Sequence, residues 1–218
     1  MGTSNKTLAI SKKGENINMN ILTTLCEWYV NTCNGKWEYS NGIKIGTLDN
    51  PGWTVDINLI NTDYENKHFP RLIKYINDNN WISCKKENSV YESGGNTDKL
   101  EELIKIFVQW VTNSNYAEKY NFDILQWLQN WYLQNCDEDW EHCYGVHIST
   151  LDNLGWKLNI DIVDTDLEDK EFKEIAITRN ASDWIKCKVY NNKFYGNGGP
   201  YNLEEILNIF RSWAESEI

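Results

Sequence analysis

The sequence predicts an α+β protein of two homologous repeats. Each repeat is read as an antiparallel sheet of about 4–5 strands, flanked in sequence by an N-terminal and a C-terminal helix packed on one face. Three observations carry this. Thr47-Leu48-Asp49-Asn50-Pro51-Gly52-Trp53 returns 103 residues later as Thr150-Leu151-Asp152-Asn153-Leu154-Gly155-Trp156. Apolar stripes of helical period open and close each copy. Between them lie short alternating runs punctuated by Gly and Asn. The repeat places copy one at 19–113 and copy two at 121–218, joined by a linker at 114–120. Residues 1–18, rich in Lys, Asn, Ser and Gly, are expected to form a flexible tail. Met19, just before copy one, is a candidate alternative start.

The first helix of copy one is predicted by Ile21, Leu22, Leu25, Trp28 and Tyr29, which recur at i, i+1, i+4, i+7 and i+8. Ile124, Leu125, Leu128, Trp131 and Tyr132 repeat the stripe. A polar segment follows, Asn34-Gly35 or Asp137-Glu138-Asp139, leading into Trp37-Glu38 or Trp140-Glu141 and the first strand. The repeated heptapeptide reads as a hairpin tip. Pro51-Gly52 suits a type II turn with φ > 0 at the glycine, and Leu154 is expected to keep that turn without proline. Strand two alternates, Val55-Asp56-Ile57-Asn58-Leu59 against Leu158-Asn159-Ile160-Asp161-Ile162, so one face is buried. Phe69 to Ile76 and Phe172 to Ile177 are weaker strand signals. Trp81-Ile82-Ser83-Cys84 and Trp184-Ile185-Lys186-Cys187 form another strand, and Asn191-Asn192 suits a two-residue hairpin turn. After Gly94-Gly95 and Gly198-Gly199, Asp98 and Asn202, each three residues before a Glu, read as helix caps. The closing helices carry Leu100, Leu103, Ile104, Phe107 and Trp110, or Leu203, Ile206, Leu207, Phe210 and Trp213.

A hydrophobic share of 41% suffices for a packed core. No apolar run reaches membrane-spanning length, and no secretory core follows the N-terminus, so cytoplasmic placement with six reduced cysteines is expected. The net charge is −11, divided as −3 over 19–113 and −10 over 121–218. That balance argues against nucleic acid and favours a basic partner.

Ten of the eleven tryptophans pair between copies: 28/131, 37/140, 53/156, 81/184 and 110/213. Most are expected in the core, since an indole buries roughly 150–250 Å². Trp37 and Trp140, beside an acid at a strand start, are expected to be the most exposed. Glu38/Glu141, Thr47/Thr150, Asp49/Asp152, Asn50/Asn153, Thr62/Thr165 and Asp63/Asp166 are polar pairs that either cap local backbone or face a partner.

The string of a Trp-Tyr helix, Cys, Trp-Glu, Gly, Thr-Leu-Asp-Asn-x-Gly-Trp, Thr-Asp, Trp-Ile-x-Cys, Gly-Gly and a Leu-Glu-Glu helix ending in Phe-x-x-Trp resembles the immunity protein 53 family of bacterial polymorphic-toxin systems. Copy two is the closer match, through Cys136-Asp137-x-Asp139-Trp140-Glu141-His142 and Tyr144-Gly145. Copy one has Asn34-Gly35-Lys36 and Tyr39 instead. The resemblance spans residues 20–217 and implies a cytoplasmic antitoxin, not an enzyme and without a cofactor. Its partner would be a cognate protein toxin, basic and of a kind that includes nucleases. The copies would act as an intramolecular pseudo-dimer or as two recognition units. The charge asymmetry nominates copy two's acidic rim as the main contact: Asp137, Glu138, Asp139, Trp140 and Glu141, extended by Asp152, Asn153 and Asp161. Trp37, Glu38, Asp49 and Asn50 are the copy-one counterparts.

Two other classes compete. Cys136, His142, Cys143 and His147 cluster as in a metal or thiol enzyme, but copy one lacks the set and no CxxC spacing is present. A carbohydrate- or other ligand-binding module would need a row of exposed rings among Trp37, Trp53, Trp140 and Trp156.

Overall fold

The computed structural model describes residues 20–113 and 123–217. The expected tail 1–18 and linker 114–120 lie outside the described residues. The first repeat runs α1 (Ile21–Thr32), a 3₁₀ turn (Trp37–Tyr39), β1 (Ile43–Leu48), β2 (Gly52–Asn58), β3 (Leu72–Asn77), β4 (Asn80–Glu87), β5 (Val90–Asn96) and α2 (Leu100–Thr112). The second runs α3 (Asp123–Asn135), α4 (Trp140–Cys143), β6 (Val146–Leu151), β7 (Gly155–Asp161), β8 (Ile175–Asn180), β9 (Asp183–Val189), β10 (Lys193–Gly198) and α5 (Leu203–Ala214). Each repeat thus has five antiparallel strands between two long helices.

The two sheets are one. Strand order is β3-β4-β5-β2-β1-β6-β7-β10-β9-β8, with β1 and β6 antiparallel at the centre. Ile45 faces Ile148, its own counterpart in the repeat, so the pseudo-twofold axis passes through that pair. The weak strand signals belong to β3 and β8, the two outer edges, where most residues are exposed.

The strand alternation sorts the two faces. Ile43, Ile45, Val55 and Ile57, with Val146, Ile148, Leu158 and Ile160, point to the helices and are buried. Lys44, Asp56, Asn58 and their counterparts His147, Asn159 and Asp161 stand on the other face. Trp28 packs edge-on to Phe107 at 4.9 Å, and Trp131 to Phe210 at 5.0 Å. α1 begins at Asn20, whose Oδ1 accepts from the Leu22 and Thr23 amides, a side-chain N-cap.

Each opening helix also reaches into the other repeat. Tyr29 of α1 packs at a tilt against Trp156, ring centroids 5.4 Å apart, and donates to the Leu151 carbonyl. Tyr132 of α3 meets Trp53 at 5.2 Å and donates to the Leu48 carbonyl. Thr47 Oγ1 accepts from the Val146 amide, and Thr150 Oγ1 from the Ile43 amide, both at 3.1 Å. Gly42 and Gly145 complete this seam, since a Cβ on either would collide with Thr150 Oγ1 or Thr47 Oγ1.

Two local expectations are corrected. The hairpin tips are present, but neither is the expected type II turn. Gly52 and Gly155 open their strands opposite Leu48 and Leu151 without positive φ. They are glycine because a Cβ would strike the carbonyl of Gly95 or Gly198. In copy two the left-handed residue is Leu154, at φ 61°, a conformation proline cannot adopt. Asp98 does not cap, since Lys99 holds the N-cap position of α2; Asn202 does hold that position in α5, but its side chain makes no cap bond and instead ties α5 to β9 through the Trp184 amide and Asp183. The Asn191-Asn192 turn is as expected, with both residues left-handed, and Asn88-Ser89 repeats it in copy one.

Candidate functional site

The segment between the opening helix and the sheet folds around two side chains in each repeat. Asn34 Oδ1 accepts from the Lys36 and Trp37 amides, while Glu38 accepts from Asn34 and Gly35. In copy two Asp137 Oδ1 accepts from Asp139 and Trp140, and Glu141 from Asp137 and Glu138. The Trp140 amide, then that of Asp139, holds the Asp137 carboxyl below its ordinary range. Glu141 is 5% exposed. The invariance of Glu38/Glu141 between copies is therefore explained by the loop they close.

Trp37 and Trp140, expected to be the most exposed, are 3% and 4% exposed. Both rings drop into the core between the opening helix and the sheet. Trp140 Nε1 donates to the Val163 carbonyl. Asp161 is also buried, paired to Lys193 at 2.8 Å and accepting from the Gly145 amide. Trp140, Glu141, Asp161 and Trp37 thus serve the fold and offer a partner little surface.

Asp137, Glu138, Asp139, Asp152, Asn153, Asp49 and Asn50 are exposed. They do not form one rim. Asp152 and Asn153 follow the far end of β6, a strand roughly 20 Å long by its rise, whereas Asp137–Asp139 precede its start. The antiparallel seam brings each hairpin tip to the other repeat instead. Asp152 shares a cleft with Glu38 and Tyr39, and β1, which leads to Asp49 and Asn50, touches α4.

That cleft, about 600 Å³, lies on the helix-free face at the seam. Glu38, Lys44, Asp56 and Glu92 come from the first repeat, and Ser149 and Asp152 from the second. Burial, then the neighbouring Glu92 carboxylate, raises the Asp56 carboxyl, with Lys44 opposing. Glu92 and Lys44 escaped the sequence reading. Their signal lay in the differences between copies, Glu92 against Tyr195 and Lys44 against His147, rather than in the shared residues.

Cys136 Sγ donates to the Tyr132 carbonyl, and burial pushes its thiol up to about 11. Among the described residues no group of three or more His, Cys, Asp or Glu side chains is placed to hold a metal ion. Trp37, Trp53, Trp140 and Trp156 are all buried, so they form no platform for a sugar. Among the described residues no helix is long and apolar enough to cross a membrane.

Comparison with curated proteins and with solved structures finds no match. The model of the family described as immunity protein 53 matches residues 22–112 and again 125–215. Those two spans cover most of the chain and coincide with the two halves of the sheet, so the chain belongs to the immunity protein 53 family, as two tandem members in one polypeptide.

Proposed function

We propose that the chain is an antitoxin that binds and neutralises a cognate polymorphic toxin by protein–protein contact in the cytoplasm, without catalysis. Family membership implies the immunity role against such a toxin; the mode of action is the inference. The toxin is basic, and nucleases are the class that fits such a surface. An acidic surface speeds the encounter with a basic partner, towards about 10⁸–10⁹ M⁻¹s⁻¹ at low salt.

The observation that carries this reading is Glu138. Its backbone has φ 80°, and the equivalent residue in copy one is Gly35 at φ 83°. A non-glycine residue there costs roughly 1–2 kcal/mol. Copy two accepts that strain to hold an exposed carboxylate between two others, Asp137 and Asp139. Strain retained at a surface carboxylate supports a binding role. The hairpin tips, Asp49-Asn50 and Asp152-Asn153, extend the recognition surface.

The test co-expresses toxin candidates from neighbouring genes with this chain and recovers complexes. Glu138→Gly is expected to unfold at a higher temperature than the parent, yet to associate with toxin more slowly and with weaker salt dependence. Neutralisation and salt dependence both unchanged in Glu138→Gly combined with Asp139→Asn would sink this site assignment.

A further inference from the structure

The positions that line the seam cleft recur in the second repeat with different side chains: His147, Asn159 and Tyr195 stand where the first repeat has Lys44, Asp56 and Glu92. Asn58 and Val90 are directly opposed on β2 and β5, and their counterparts Asp161 and Lys193 are directly opposed on β7 and β10. In the second repeat Lys193 Nζ lies 2.8 Å from Asp161 Oδ1, so that position carries its own ammonium. In the first repeat Val90 supplies none, and the space is an open cleft of about 600 Å³.

Its lining has the carboxylates of Glu38, Asp56, Glu92 and Asp152 against one cation, Lys44. Glu38 is occupied by the Asn34 and Gly35 amides, and Glu92 by Lys85 at 2.9 Å. Among the described residues no hydrogen bond or ion pair engages the Asp56 or Asp152 side chain. Asp56 is half-buried, and burial raises its carboxyl, the condition of a carboxylate that a desolvated cation would relieve. The volume falls within the range of small-ligand sites, about 300–1,000 Å³, enough for one long side chain.

We propose that this cleft seats a lysine or arginine side chain of the bound toxin, which pairs with the unengaged carboxylates of Asp56 and Asp152. This rests on the antitoxin reading for the identity of the partner, but the site itself is testable without the toxin. One such side chain fits at a time, contacted by Asp56 from the sheet and Asp152 from the opposite hairpin tip, so both repeats build the site.

The experiment titrates the ¹⁵N-labelled full chain with N-acetyl-arginine amide and N-acetyl-lysine amide, with N-acetyl-norleucine amide as the neutral control. Saturable shifts are expected at Gly42, Lys44 and Ser149 with a cationic probe and not with the neutral one. Two variants should weaken binding at least tenfold. Asp56→Asn with Asp152→Asn removes the free carboxylates. Asn58→Asp with Val90→Lys copies the second repeat's pair and fills the cleft without changing net charge. No saturable shift, or equal shifts in parent and filled variant, overturns the site. Once toxin is in hand, undiminished capture by the filled variant rejects the cleft while leaving the antitoxin reading intact. Probe binding at the cleft with no toxin captured keeps the cation site and rejects that reading.

Discussion

Leu154 and Pro51 hold the same place in the two copies and cannot share a backbone conformation. Leu154 sits at φ 61°, whereas proline is locked near −65°. Leu154→Pro, which copy one makes look harmless, is expected to destabilise by more than about 1 kcal/mol in urea titration. The repeat hid this because a tip of three residues can be closed in several ways by similar residues. Asp56 is a second residue with a price set by its surroundings. Its folded-state carboxyl lies above the ordinary value of 3.8, so the folded chain binds that proton more tightly than the unfolded chain. Stability is then lost as pH rises from the unfolded value through the folded one. Asp56→Asn should therefore raise the melting temperature at pH 7, and the difference from the parent should shrink as pH falls below the ordinary aspartate range. A gain that persists undiminished at pH 3 would rule out ionisation as the cause.

At the scale of elements, the informative contacts are those between one repeat's helix or turn and the other's strand. Thr150 caps the Ile43 amide, and Tyr29 bonds the Leu151 carbonyl. Thr150→Val leaves the Ile43 amide without its acceptor and should cost about 1–3 kcal/mol, whereas Thr150→Ser should cost far less; chemical denaturation of the two variants separates hydroxyl from shape. Helices, strand alternation and the Asn191-Asn192 turn were legible in the sequence because each depends on near neighbours. The role of Thr47 and Thr150 was not, since a threonine beside a turn reads the same whether it bonds its own loop or a strand a hundred residues away. Trp37 and Trp140 misled for a related reason. An adjacent acid suggested the surface, but the carboxylates of Glu38 and Glu141 turn back to the preceding loop amides, freeing the rings to enter the core.

For the whole molecule, one ten-stranded sheet and one continuous hydrophobic cluster span both repeats. Unfolding one half would strip the inner strand, Tyr29 or Tyr132, and the seam threonine bonds from the other. A single thermal transition is expected, with calorimetric and van't Hoff enthalpies in agreement; two resolved transitions would show that the halves fold separately. A protease site placed within 114–120 and then cut should leave both fragments in one particle of native mass. The division of charge, −3 against −10, was legible at this scale from the sequence, but the position of each carboxylate was not. Counting acids by copy could not anticipate that Asp161 is buried or that Asp152 lies across the axis against Glu38.

The axis through Ile45 and Ile148 joins two halves that share one covalent chain. In an assembly of identical subunits, any replacement appears on both sides at once, so a lysine that plugs one hollow plugs its mirror image too. Within a single polypeptide the plug can be kept at Lys193 and omitted at Val90. Such a molecule has a front and a back, and the proposed cleft would give it a one-to-one stoichiometry with its target.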